Sequence, residues 1–168
     1  QDMPGSNRKT VWFNSRFYRV NLIWENGTVR LRDMHLFDEN LPSDYLTKRV
    51  TSNECSFFTL PVVDGYLWSA AQNLAGLRLK ARVDGKEVLI QGGDPVVTSP
   101  VTGQLHITWP LTTSNGVFVM DLDENQVVMK MEGTESLDWF LDLTATDKAS
   151  LPFTKIASNR IDCQFKGR

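Results

Sequence analysis

Cysteine and histidine are scarce in this 168-residue chain, with two of each. Cys55 and Cys163 have no neighbouring Cys or His at metal-ligand spacing, so no zinc site is expected. The pair is open to one long-range disulfide in an oxidising compartment, or to the simpler reading of two isolated buried thiols. Charge of one sign is missing too: 18 Lys+Arg stand against 20 Asp+Glu, a net −2, with no five like charges in a row. Nucleic acid and anionic membranes, which need a concentrated basic field, are not expected partners. No apolar run approaches the roughly 20 residues of a membrane span. The chain has no G-x-S-x-G elbow, phosphate-cradling glycine loop or H-E-x-x-H pair, and no repeat that would point to a propeller or β-helix.

What remains is an ordinary globular composition, 41% hydrophobic and 23% charged, long enough for one domain with its own core. Residues 1–10 are polar, contain Pro4 and Gly5, and read as a linker or frayed terminus, leaving 11–168 as a single domain. The chain opens on Gln1, so the absence of a signal peptide carries no information. Ile161, Cys163 and Phe165 still alternate near the last residue, which raises the expectation that the domain is one layer set of a larger protein.

The apolar period is two almost throughout. Tyr18, Val20, Leu22 and Trp24 share one face against Arg19 and Asn21, and after Glu25-Asn26-Gly27 the alternation resumes at Val29 and Leu31. Past Asp33 the apolar phase jumps to Met34 and Leu36, as an inserted bulge residue requires. Leu77, Leu79, Ala81 and Val83 lead through Asp84-Gly85 into a partner strand over 86–90, a strong hairpin signal because both turn residues tolerate positive φ. Further strands are predicted around Leu105, Ile107 and Trp109; over 117–122 with 127–131; at Trp139, Leu141 and Leu143; and at Ile161, Cys163 and Phe165. Short helical signals occur only over 43–50 and 69–77. The expected fold is all-β, an antiparallel β-sandwich, with irregular connections over 38–61 and 92–103.

Chemistry is harder to find. His106 alternates with Leu105 and Ile107 and is expected to face solvent, and neither it nor His35 has the motif of a catalytic base. Asp121, Asp123, Asn125 and Glu132 match places of a calcium loop, but Gln126 stands where that loop needs glycine and the flanks alternate as strands, so a hairpin turn is expected and no metal. Acidic residues gather at Asp33, Asp38, Glu39, Asp44, Glu54 and Asp64. Two carboxylates suffice for glycoside hydrolysis, which sets up a glycan-cleaving enzyme using Asp33, Asp38 or Asp64 as the alternative; the simpler reading is solvated loop charges and turn caps. Arg30 with Arg32, and Arg78 with Lys80 and Arg82, make two basic stripes, suited to an anionic ligand or simply paired with acids across the ladder. Trp24, Trp109 and Trp139 are in phase with core residues, whereas Trp12, Tyr45, Tyr66 and Trp68 fall near strand ends or loops and are candidates for exposure.

The stretches Leu60-Pro61-Val62-Val63-Asp64-Gly65-Tyr66-Leu67-Trp68 and Leu137-Asp138-Trp139-Phe140-Leu141-Asp142-Leu143 resemble the β-sandwich domains attached to secreted bacterial carbohydrate-active proteins. The resemblance is one of texture over most of the chain: Trp-bearing strands, Asp-Gly and Asn-Gly turns, few cysteines and long polar loops. It implies an extracytoplasmic, non-catalytic accessory domain that binds a poly- or oligosaccharide or packs against a neighbouring domain, without a cofactor. Ligand contacts are expected at Trp12, Tyr45, Tyr66, Trp68 and Asp64. A protein-interaction module is the remaining expectation.

Overall fold

A computed structural model describes residues 5–41, 49, 51, 59–71, 73–133, 137–146, 151–157 and 160–164. Among them the chain forms thirteen strands and no helix: β1 Arg8–Asn14, β2 Tyr18–Glu25, β3 Thr28–Leu36, β4 Leu60–Asp64, β5 Gly76–Val83, β6 Lys86–Leu89, β7 Val96–Thr98, β8 Leu105–Pro110, β9 Val117–Leu122, β10 Val127–Glu132, β11 Trp139–Thr144, β12 Phe153–Ala157 and β13 Arg160–Cys163. All pairings are antiparallel. A seven-stranded sheet runs β1-β2-β3-β5-β11 with β4 on β3 and β6 on β5; a second sheet runs β10-β9-β8-β7; β12 and β13 form a separate pair. No helix of the described residues is long and apolar enough to cross a membrane.

Two tight turns follow from residues that accept positive φ. Asn26 and Gly27 sit at 52° and 71°, and Asp84 and Gly85 at 51° and 75°, the left-handed pair that matches the twist of flanking strands. The expected bulge is present: opposite Asn21 and Leu22 stand Asp33 and Leu31, so Arg32 is the inserted residue. The bulge is where β3 changes partner, pairing with β5 at Arg30 and Leu31 before it and with β4 from Asp33 onward.

The two larger sheets bury one shared apolar cluster, the layering of a sandwich. Phe13, Val20, Leu22, Trp24, Leu31 and Leu79 come from the seven-stranded sheet, and Ile107, Trp109, Phe118, Met120 and Leu122 from the second. Tyr18 ties them together, since its hydroxyl lies 2.6 Å from the Asp123 carbonyl and 2.8 Å from that of Gln126. Burial, then the Asp123 charge, push its pKa up to about 12.

Some expectations need correction. The described residues of 69–77 are not helical: Ala70 and Asn73 form a bridge and β5 starts at Gly76. The connection 92–103 contains the short β7, paired to β8. Strand β1 takes in Arg8, Lys9 and Thr10 of the stretch read as a terminus, in register with β2. The helical signal over 43–50 lies almost wholly outside the described residues.

Candidate functional site

Directly opposed residues of an antiparallel sheet share a face. The registers Trp12↔Asn21, Asn21↔Asp33 and Asp33↔Asp64 therefore set four residues in one row across β1, β2, β3 and β4. This row lies on the outer face, because the alternating neighbours Val11, Phe13, Val20 and Leu22 belong to the core. The bulge at Arg32 is what turns β3 over: Val29 and Leu31 face inward before it and Met34 after it, which leaves Asp33 and His35 outside the apolar layer.

The centre of the row is closed by a polar network. Arg19 grips Asp33 with two bonds, Nε to Oδ1 at 2.8 Å and Nη2 to Oδ2 at 3.1 Å. His35 Nε2 stands 3.3 Å from Asp64 Oδ2 and 3.5 Å from Asp33 Oδ2, and its Nδ1 is 2.6 Å from Thr59 Oγ1. The other oxygen of Asp64 accepts the backbone N–H of Tyr66 at 3.0 Å and of Leu67 at 2.7 Å. Burial pushes the Asp64 carboxyl up, but the bonds from His35, Leu67 and Tyr66 outweigh it and hold it below the ordinary carboxylate value. His35 and Asp64 are shut off from solvent and shape the surface from beneath, while the Arg19 and Asp33 side chains keep part of their surface exposed.

Two of the sequence-predicted residues are left at the surface around that centre. Tyr66 is 85% exposed at the tip of the turn that Asp64 caps, and Trp12 is 45% exposed at the far end of the row. The Arg32 guanidinium stands over the Trp12 ring, 5.7 Å from its centre. Trp68 is corrected to a buried residue, 4% exposed: it packs edge-on against Phe153 at 5.7 Å, and its carbonyl accepts the Thr146 N–H. Asp64 is 1% exposed and holds the turn that carries Tyr66. Tyr45 lies outside the described residues.

The other candidates resolve into structural roles. Asp38 caps a turn through Asn40. Asp123 caps the β9–β10 turn by accepting the N–H of Asn125 and Gln126. His106, partly exposed, pairs with Asp121 directly across the ladder. Cys163 is a free thiol whose pKa is raised by burial and then by Asp162, while Cys55 lies outside the described residues. A cleft of about 710 Å³ between the β2–β3 turn and the 92–94 loop is lined by Arg8, Lys9, Trp24, Asn26 and Asp94 among others, and includes neither Trp12 nor Tyr66.

The sequence places Arg32 in a basic stripe with Arg30 and weighs His35 only as a catalytic base, without signalling the bulge position of the one or the buried carboxylate contacts of the other. The usable signal is the phase jump itself, which turns Asp33 and His35 to one face and leaves Arg32 as the odd residue. No family model matches the chain, and neither a curated protein nor a solved structure matches it.

Proposed function

We propose that the chain is a non-catalytic module that binds a saccharide along the outer face of its larger sheet, in an extracytoplasmic carbohydrate-active system. The observation that carries this reading is the contrast within one surface: Trp12 and Tyr66 stay exposed while Asn21, His35 and Asp64 beside them are fully enclosed. An indole and a phenol held on rigid backbone offer flat apolar faces with polar edges, which suits stacking on sugar rings. An open face, with neither aromatic lining a described cleft, suits a chain-like ligand better than a small molecule. The glycan-cleaving alternative draws on Asp33, Asp38 or Asp64 and needs two open carboxylates; Asp64 is buried and Asp33 is held by Arg19, which leaves Asp38 as the one exposed member of the three.

Retention of the purified protein in native gels cast with a panel of polysaccharides, backed by tryptophan fluorescence, tests the reading. Trp12→Ala and Tyr66→Ala should each weaken binding by about tenfold, the loss of roughly 1.4 kcal/mol that one stacked ring supplies. Wild-type affinity in both variants, or product release from a retained glycan, overturns it.

A further inference from the structure

The outer face carries a feature that the stacking residues do not explain. Arg30 and Arg78 are directly opposed across β3 and β5, a placement that destabilises a sheet when both residues are charged. Neither has a carboxylate within ion-pair distance among the described residues. Asp142 stands opposite Arg78 on β11, yet its carboxylate goes to Lys80 at 2.8 Å. Glu25 is taken by Arg8, Asp33 by Arg19, and Glu87 lies near Lys80 and Arg82. Arg32 has the Trp12 ring in place of an acid.

Both guanidiniums are nevertheless built in. Arg30 Nη1 donates to the Ala75 carbonyl at 3.1 Å and Arg78 Nη2 to the Leu74 carbonyl at 2.7 Å. The stem of Arg30 packs so closely on Gly76 that a Cβ there would lie 2.7 Å from Arg30 Cγ. Arg78 Nη1 is enclosed with no acceptor. Burial, then Arg78, push the Arg30 guanidinium below its ordinary value, with Arg32 and Arg8 adding to this and Glu25 opposing it. Carbonyls orient these two cations but do not neutralise them. Unrelieved like charge at a fixed spacing is a cost that a fold retains where a ligand removes it.

We infer that Arg30 and Arg78 form a seat for an oxyanion, the carboxylate or sulfate group of an acidic saccharide lying on this face. The saccharide as carrier rests on the function proposed above; the anion seat stands on the two arginines alone. A guanidinium can hold two oxygens of a carboxylate or a sulfate through two parallel N–H bonds. Arg30 lies two strands and two residues from Trp12, about 12 Å at standard sheet spacings, within reach of one short oligosaccharide.

The test uses four probes in native gels: dextran, dextran sulfate, polygalacturonate and its methyl ester. Retention by polygalacturonate or dextran sulfate, at least tenfold weaker for the uncharged counterpart, supports the seat and distinguishes carboxylate from sulfate. Arg30→Gln and Arg78→Gln should each lose about tenfold, with thermal midpoints at or above wild type because like charge has been relieved, while the exposed Arg16→Gln retains binding. Equal retention of charged and uncharged probes, or equal loss in Arg16→Gln, overturns the seat and leaves the saccharide reading standing. If no polysaccharide is retained, the thermal midpoint in sodium sulfate against sodium chloride of equal ionic strength decides. A rise in wild type that is absent in Arg78→Gln keeps the anion seat and removes the saccharide; no rise removes both.

Discussion

The Gly65 amide donates to the Arg32 carbonyl at 2.8 Å, and a Cβ on Gly65 would lie 2.5 Å from that same oxygen and 2.6 Å from Arg32 Cγ. The residue after β4 is thereby pressed onto the bulge of β3, and the turn carrying Tyr66 is located by the arginine that lies over Trp12. Local geometry and the proposed binding face depend on one contact.

Gly65→Ala is therefore expected to do two things. Backbone atoms that cannot yield make the added methyl an overpacking, with a cost of about 1–3 kcal/mol in urea unfolding. Displacing Arg32 also uncovers Trp12, so the variant's tryptophan emission should shift to the red while the fold persists by circular dichroism. Unchanged stability together with unchanged emission contradicts the coupling.

Asp64 gives the turn a pH dependence whose sign follows from its depressed pKa. Its contribution is complete above the ordinary value of 3.8 and is lost as pH falls through the lower folded value. Asp64→Ala, which leaves two backbone N–H groups without their acceptor and removes the nearer carboxylate from His35, should lose about 3 kcal/mol at neutral pH. The difference between wild type and Asp64→Ala in urea midpoint should narrow progressively below pH 3.8. A gap that stays constant down to pH 2 would show that the carboxylate charge is irrelevant.

Tyr66 and Trp68 are two residues apart and have opposite fates, which makes them a matched pair. Truncating the exposed Tyr66 should change stability by no more than about 0.5 kcal/mol, whereas Trp68→Ala removes a buried ring packed on Phe153 and should cost about 3–5 kcal/mol. Thermal or urea unfolding of the two variants side by side reads this directly, and comparable losses in both would refute the placement of the turn.

Much of the architecture is legible before any coordinates. Hairpins announced by Asn26-Gly27 and Asp84-Gly85 form because backbone chemistry and alternation agree locally, and the phase jump past Asp33 announces the bulge. Strand β1 is harder to read because Trp12, an apolar residue, faces outward between Val11 and Phe13 and hides the alternation. Strand β4 is hidden by Pro61 and by the compensating bulge opposite Met34 and His35. The site is less legible than the fold. Burial of Asp64 and Trp68 depends on which strands become neighbours, and a row such as Trp12, Asn21, Asp33 and Asp64 is assembled by long-range register that no local pattern encodes. The opposition of Arg30 and Arg78 is hidden in the same way, since each alone reads as a solvated outer-face charge.

Tyr18 supplies the remaining prediction, because its hydroxyl joins the larger sheet to the β9–β10 turn of the second sheet. Its hydroxyl reaches carbonyls of the β9–β10 turn, and its pKa of about 12 lies above the ordinary 10. A phenol raised in this way stabilises the fold fully below pH 10, and that contribution is lost as pH rises through about 12. Tyr18→Phe should lose about 1 kcal/mol at neutral pH, the net worth of one buried hydrogen bond. The gap to wild type should shrink from pH 10 upward as the unfolded chain alone releases the proton. Absorbance at alkaline pH offers a second reading: one of the three tyrosines should ionise only near pH 12, and that late step should vanish in Tyr18→Phe. If the late step survives the substitution, the raised phenol is not Tyr18 and the tie between the sheets is weaker than its geometry indicates.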